Sequence, residues 1–345
     1  MRTQTSSSIV APSERVHRSL PRNFKDGDEA LFQHEIIKEI DSTKAISREN
    51  VVVLPNGYLS SGLRVLPESF SNHPKAGQAA RHWLKLAAYS ATARETRLVE
   101  KGLFVTDEFS NGFFHWICDV LPRIEAASNQ ENRKRTLMIP AMATFPYVAP
   151  SLEPYGFADV CILSWKEKIR CADLLIVTQA APTGNYRPSL MKALRSRFRE
   201  HFGVGRPSRK LFISRSRALR RRISNEDQVE GVIVRHGFER VFLEELSFAQ
   251  QVRLAGSAKV MVGNHGAGLA NMLWMAPETT VLELRLRGDR LNNCYFSLAS
   301  ALDVGYRYLE CGAANGKGDA HSSDVVVDIE SLERELAVMD KEEKS

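Results

Sequence analysis

Two side chains four residues apart, His115 and Asp119 in "NGFFHWICDVLP" (111–122), would share one face of a helix. An imidazole hydrogen-bonded to a carboxylate in apolar surroundings suits a general base that takes a proton from a hydroxyl. Phe114, Ile117, Val120, Leu121 and Ile124 supply the apolar side. Pro122 has no N–H to give to the carbonyl of residue 118, so the helix should bend beside Asp119. The same pair would serve equally well as a brace for the helix. Zinc is disfavoured, because H-x-x-x-D provides too few ligands and no third is evident. Asn111 and Trp116 in the same block are candidates for contacting an acceptor or supporting the pair.

A second set of groups suits an anion. In "VGNHGAGLANMLWM" (262–275) a histidine and small residues lie between an apolar strand and an apolar helical run. Gly266, Ala267 and Gly268 leave backbone bare where a ligand can approach, and the amides of Gly266 to Leu269 would point outward at a helix start. The dipole there favours an anion by about 0.3–1 kcal/mol. A tight turn with an incidental histidine is the plain alternative. In "SRKLFISRSRALRRRISNE" (208–226) seven basic residues precede the first acid. Arg215 directly follows the strand 210–214, which should place it beside His265, and Arg222 lies next to the following helix start. A planar guanidinium in either place suits bidentate pairing with phosphate. The other basic residues fit a solvated loop. Nucleic-acid binding is a third possibility, weakened by the lack of interleaved aromatic residues for stacking and of a recognisable binding module.

Elements that would hold these groups follow from periodicity. Ser224 or Asn225 can cap a helix carrying Val229, Val232, Ile233 and His236 on one face, and Gly237 ends it. "FERVFL" is a strand, and Ser247 with Gln250 forms a capping box for a helix through Leu254. "KVMVG", a short helix "LANMLWM" and the strand "TTVLELRL" complete an alternation that implies a parallel sheet. Upstream, "TLMIP", "DVCIL" and "ADLLIVT" read as strands, "RPSLMKALRSRFREHF" as a helix, "GVGRPS" (203–208) as a linker, and Asn56-Gly57 as a hairpin turn.

The expected fold class is therefore α/β: two Rossmann-like domains facing each other across a cleft, with ligands beyond the carboxyl ends of the strands. The expected divisions are a flexible lead-in over 1–28, an acceptor-side α/β domain over 29–205, a nucleotide-sugar-binding domain over 206–312, and a polar linker with a final helix over 313–345. Length and composition agree: 345 residues suffice for two cores, and 43% hydrophobic with 26% charged residues is ordinary for a soluble globular chain. No window approaches the roughly eighteen apolar residues of a membrane span, and the N-terminus lacks the apolar core of a secretory signal. Five cysteines without CxxC spacing argue against a disulfide framework or a zinc ribbon. A cytoplasmic location is expected, with room for peripheral contact at the inner face of the cell membrane, since the net charge of +6 does not decide the matter.

In combination these blocks resemble glycosyltransferase family 61. Its N-x-x-x-H-(W)-x-x-D-x-L-P pattern is met by Asn111, His115, Trp116, Asp119, Leu121 and Pro122. Its I-S-R segment with later arginines and N-E is met by Ile213, Ser214, Arg215, Arg221, Arg222, Asn225 and Glu226. Its E-x-L-S-F block falls on Glu245 and Ser247 to Gln251, with departures. Its H-G-A-G-L-x-N and V-L-E blocks fall on His265 to Leu269, Asn271 and Val281 to Glu283. The likeness covers roughly residues 95 to 310. It implies a GT-B enzyme that moves a sugar, with inversion, from a nucleotide-sugar, UDP-linked in most members, to a glycan or glycolipid hydroxyl. It also implies no cofactor and no metal. The chain's build is closer to members linked with bacterial surface polysaccharides. Asp119 is then expected as the base and His115 as its orienting partner. Arg215, Arg222, Asn225, His265, Gly266, Ala267, Gly268, Leu269 and Asn271 would hold the donor, with Glu283 on its ribose. A non-catalytic nucleotide- or phosphosugar-binding protein is the main alternative. Oligomeric state is left open.

Overall fold

The computed structural model describes residues 6–343 apart from 63, 72–78, 315, 317 and 320. The chain divides into two compact units. The first holds Met1–Glu14 and Glu39–Thr183, the second Arg15–Lys38 and Gly184–Ser345. These bounds differ from the linear division expected from sequence. The Gly- and Pro-containing stretch 203–208 is a turn inside the second unit. Ahead of it, the helix Pro188–His201 buries Phe198 against Trp274, with rings stacked 4.7 Å apart. Arg195 and Arg199 on that helix donate to the carbonyls of Leu302, Gly256 and Trp274, each at the C-terminal end of a helix.

Over 6–28, the described part of the expected lead-in (1–5 lie outside the described residues), a flexible segment is also not what forms. Residues Ser6–Ala11 pair antiparallel with Thr43–Val53. Residues 15–38 carry a helix, Glu29–Ile36, whose Phe32 is fully buried against Phe296 and Tyr308 of the second unit. The first of these strands is mostly solvent-exposed at an edge, so its sequence lacks the alternation that marks a half-buried strand.

In the second unit, five parallel strands run in the spatial order Glu239–Val241, Arg209–Ile213, Ala258–Asn264, Thr280–Leu286, Gly305–Ala313, with Val325–Val326 antiparallel at the end. Numbered along the chain, the parallel strands read 2-1-3-4-5, a doubly-wound order whose direction reverses between Arg209–Ile213 and Ala258–Asn264. The expected helices are present. Glu226–Arg235 buries Val229, Val232 and Ile233, and Phe248–Gly256 opens on a complete Ser247–Gln250 capping box. Gly237 ends the former with φ 76°. The C-terminal helix Ile329–Glu342 joins this core through Leu332, Leu336 and Met339.

The first unit is not a second all-parallel sheet. Glu167–Val177, Arg94–Phe104, Thr136–Ile139 and Asp159–Ile162 lie side by side in parallel. The strand Thr43–Val53 then adds antiparallel to Glu167–Val177 and continues through the Asn56-Gly57 turn, Gly57 at φ 82°, into Leu59–Ser61. The sheet is therefore mixed, because a hairpin supplies one edge where a crossover helix would be needed for a parallel strand. The chain leaves Arg94–Phe104 towards one side and returns to pair on its other side with Glu167–Val177, which makes a second reversal point. Among the described residues no helix is long and apolar enough to cross a membrane.

Candidate active site

His115 and Asp119 lie in the crossover that follows Arg94–Phe104. This crossover runs as a helical turn, Phe113–His115, then a π turn, Trp116–Val120, then an α-helix, Leu121–Ala127. The π turn has a local cause. Pro122 gives no hydrogen bond to Cys118, and the Leu121 N–H reaches back five residues to the Trp116 carbonyl. Within that widened turn His115 Nδ1 lies 2.7 Å from Asp119 Oδ2. The Thr183 hydroxyl donates to the same oxygen at 3.2 Å. Oδ1 carries no protein partner among the described residues. The Asp119 side chain is 7% exposed and that of His115 29%, so the imidazole is the more open member. Phe109 stacks on the His115 ring at 5.6 Å. One turn further on, Arg123 ties the helix to the end of Arg94–Phe104 by donating to Asp107 and to the Val105 carbonyl. Burial raises the Asp107 carboxyl, and the Arg123 charge and hydrogen bond, together with the Phe109 N–H and the Ser110 hydroxyl, more than offset it, holding it below the usual carboxylate range.

Trp116 is fully buried, its indole N–H on Ser151 Oγ at 2.8 Å, so it supports the helix and meets no acceptor. Asn111 is exposed in the turn before the helix. Thr183 and Phe109 escaped the sequence reading. Thr183 comes from a loop 64 residues away, and Phe109 precedes the block without a spacing that marks it.

The second unit assembles its groups at its own reversal point. Arg215 follows the strand Arg209–Ile213, and His265 and Gly266 follow Ala258–Asn264. The Arg215 guanidinium lies so close over Gly266 that a Cβ there would sit 2.5 Å from Nη1. Arg215 Nε and Nη2 donate to the carbonyls of Arg221 and Arg220. No carboxylate pairs with it among the described residues. Burial first, then the Arg221 charge, lowers its pKa from the ordinary arginine value. A half-buried guanidinium whose charge is under-compensated attracts an anion. Gly266 has φ 168°, an extended conformation that alanine adopts readily, so its requirement is purely steric. Gly266→Ala should therefore leave the melting temperature close to wild type. By displacing Arg215, it should weaken nucleotide binding about tenfold, roughly the contribution of one charge-assisted bond, as read by calorimetric titration.

His265 is held from behind. Its Nδ1 pairs with Glu283, whose other oxygen accepts from the Tyr306 hydroxyl at 2.5 Å. Tyr295, unanticipated from sequence, packs on the imidazole with ring centroids 5.0 Å apart. This corrects the expectation for Glu283. The side chain is 0% exposed and both oxygens are engaged, so it orients His265 and does not meet a ribose hydroxyl. With Nδ1 turned inward, Nε2 is the nitrogen left for a ligand. Burial raises the Glu283 carboxyl, and the His265, Arg285 and Tyr306 contacts more than offset it, leaving it below the ordinary value of 4.5. Because the folded pKa lies below the unfolded one, its stabilisation is complete above that ordinary value and disappears as pH falls through the folded one. Glu283→Ala leaves the Tyr306 hydroxyl and the His265 imidazole without their carboxylate partner in the core. It should lower unfolding free energy by about 3–5 kcal/mol at neutral pH in denaturant titration.

Four further expectations change. Arg222 is drawn to the surface by Asp324, which accepts from its Nε and Nη2 at 3.1 and 3.0 Å, so it stands outside the Arg215–His265 cluster. Asn225 straps the C-terminal segment, exchanging two hydrogen bonds with the Val327 backbone at 2.9 and 3.0 Å. Asn271 is fully buried, donating to the Gly268 carbonyl and accepting from the Trp274 indole. The run Ala267–Trp274 is a 3-10 helix in which the Leu269 N–H already bonds to the Gly266 carbonyl. Of the four amides expected to face a ligand, that of Leu269 is thus taken up within the helix. Gly268 is needed for packing, since a Cβ would lie 3.0 Å from Ile213 Cγ2. Glu226, the acid of the N-E pair, has a local structural role. It is buried and accepts from Ser214, which directly precedes Arg215. Among the described residues no cluster of three His, Cys, Asp or Glu side chains is arranged to hold a metal ion.

Residues 113–282 match the sequence profile described as glycosyltransferase 61, a span that opens at the His115–Asp119 helix and includes Arg215 and His265. Over 102 residues the chain is 31% identical to an EGF domain-specific O-linked N-acetylglucosamine transferase of Drosophila melanogaster. That alignment covers 29% of this chain and 19% of the relative, so the chain spans about a fifth of that protein's length.

Proposed function

Residues 113–282 place the chain in glycosyltransferase family 61, and from that premise we propose that it transfers a sugar from a nucleotide-sugar to a hydroxyl of a glycan or glycolipid acceptor. The observation that carries the proposal is Arg215: a half-buried guanidinium with no carboxylate paired to it among the described residues, lying against bare Gly266 beside His265, at the reversal point of a doubly-wound sheet. A diphosphate supplies the charge this position lacks.

The two units divide the chemistry. In the second, Arg215, His265 Nε2 and the amides of Ala267 and Gly268 take up negative charge as the bond between the anomeric carbon and the phosphate oxygen breaks. In the first, Asp119 accepts the acceptor hydroxyl's proton while that oxygen forms the new bond to the anomeric carbon. His115 and Thr183 hold the carboxylate in place. Attack opposite the departing diphosphate inverts the configuration. A UDP-sugar donor and a role in surface polysaccharide synthesis are the specific forms of this reading, supported by the family resemblance. The Drosophila relative's name supports a sugar transferase more generally.

Nucleic-acid binding by the arginine loop has little left to use. Arg209 pairs with Glu239, Lys210 with Asp340, Arg217 with Glu245 and Arg222 with Asp324. A panel of UDP-, GDP- and CMP-sugars tests the proposal. One nucleotide class should raise the melting temperature, and its sugar should be released slowly or transferred to an added glycan. No thermal response to any member would overturn the proposal. A response with neither hydrolysis nor transfer would favour a binding protein without catalysis.

A further inference from the structure

The helix Ala79–Thr92 of the first unit is apolar on the side it turns to solvent. Its inner side is set by His82 and Tyr89, two turns apart. His82 Nδ1 lies 2.7 Å from the Tyr58 hydroxyl with its ring 4.6 Å from that of Phe70, and Tyr89 packs on Leu54 and Tyr58. The opposite side of a surface helix is ordinarily polar. The C-terminal helix Ile329–Glu342 obeys this, exposing Glu330, Arg334, Lys341 and Glu342. Here the outer side carries Leu84, Ala87, Ala88 and Ala91, all exposed, with Trp83 on one flank and Lys85 on the other. Trp83 is 54% and Leu84 63% exposed. A second exposed indole, Trp165, lies against the last turns of the helix, its ring 6.0 Å from Tyr89.

Charge selects what covers this face. No acidic residue occurs between Glu68 and Glu95, whereas the helix itself contributes Arg81 and Lys85. Exposed Arg94 and Lys166 adjoin its C-terminal end, where the Arg94 N–H donates to the Lys166 carbonyl. Lys168 donates to the Ser90 carbonyl at 2.6 Å. The nearest acids are engaged elsewhere: Glu95 pairs with Arg170, and Glu167 accepts from the Ser164 N–H. Two copies meeting through this face about a two-fold axis would set these basic groups against one another. An anionic bilayer meets both demands. Its acyl boundary takes up leucine, alanine and the indole, which favours a place with one apolar and one wet end, and its head groups neutralise the basic side chains.

We propose that the helix Ala79–Thr92 docks the chain on an anionic phospholipid bilayer, lying in the plane of the interface with Trp83 and Leu84 inserted. The inference stands apart from the transferase proposal, and neither result decides the other. The full chain is mixed with vesicles of phosphatidylcholine alone or with an equal share of phosphatidylglycerol, and the bound fraction is read by sedimentation. It should bind the anionic vesicles at least about tenfold more tightly than the neutral ones, and less tightly as salt rises. Because Trp116 and Trp274 are fully buried, a blue shift of tryptophan emission on adding vesicles reports Trp83 and Trp165, and it should persist in Trp165→Phe. Leu84→Ser and Lys85→Glu alter exposed side chains and should each weaken binding to anionic vesicles roughly tenfold at an unchanged melting temperature. Should Leu84→Ser lose its melting transition, Lys85→Glu decides the matter. The inference is overturned if no vesicle binds, if neutral vesicles bind equally well, or if the deciding variant binds as wild type does. A dimer in sedimentation velocity that Leu84→Ser converts to monomer would also overturn it, assigning the face to a second copy.

Discussion

Asp119→Asn is expected to reduce sugar transfer by roughly 10²- to 10⁴-fold, the usual contribution of a positioned general base, while nucleotide affinity stays within about twofold of wild type. The substitution keeps the volume and the hydrogen bonds available to His115 and Thr183, so the π turn should survive and circular dichroism should be unchanged. Single-turnover rates with saturating donor give the cleanest reading. Wild-type turnover in this variant would remove Asp119 from the chemistry. Because His115 is the more open member of the pair, the roles could run the other way, with Asp119 orienting an imidazole base. His115→Asn separates the two. Its amide can still donate to Asp119 Oδ2 but has no basic nitrogen. If Asp119 is the base, this variant should retain much more activity than Asp119→Asn; equal losses would assign proton removal to His115.

Arg215→Ala should weaken nucleotide binding roughly 10- to 150-fold, from the about 1.5–3 kcal/mol of a hydrogen bond to a charged group. The remaining affinity should also be less sensitive to salt, since a phosphate contact is lost. Arg215 also holds the carbonyls of Arg220 and Arg221, so the loop should loosen and the melting temperature fall slightly. Arg215→Lys tests which effect dominates. Lysine restores a charge but not the planar fork that spans both carbonyls and phosphate oxygens, and should recover only part of the affinity. Calorimetric titration of both variants with the nucleotide identified by the panel checks this. Unchanged affinity in the alanine variant would mean that the nucleotide lies elsewhere.

Features set by neighbours in the chain are legible in the sequence. The Ser247–Gln250 capping box, the Asn56-Gly57 turn, the glycine stop at Gly237 and the helical spacing of His115 and Asp119 each depend on a few consecutive residues. Exposed strands are harder to read: Ser6–Ala11 and much of Arg94–Phe104 are exposed, so they carry no apolar alternation, although the first pairs with Thr43–Val53 and the second with Glu167–Val177. The strand Gly305–Ala313 and the helix Cys294–Ala301 also went unread, and with them Tyr295 and Tyr306 beside His265.

The sequence by itself determined which chemistry is available: a helical imidazole–carboxylate pair, an arginine at one strand end, and a histidine with bare backbone at another. Only the tertiary structure decided how these groups are used. Arg215 and Arg222 are seven residues apart in one basic loop, yet one lies over Gly266 while the other pairs with Asp324. Glu283 was expected on a ribose, but the adjoining strands bring His265 and Tyr306 onto both of its oxygens. The reason is physical: residue type and local spacing set what a side chain can do, whereas its charge compensation and burial come from partners tens to a hundred residues away, which register and packing alone bring within reach.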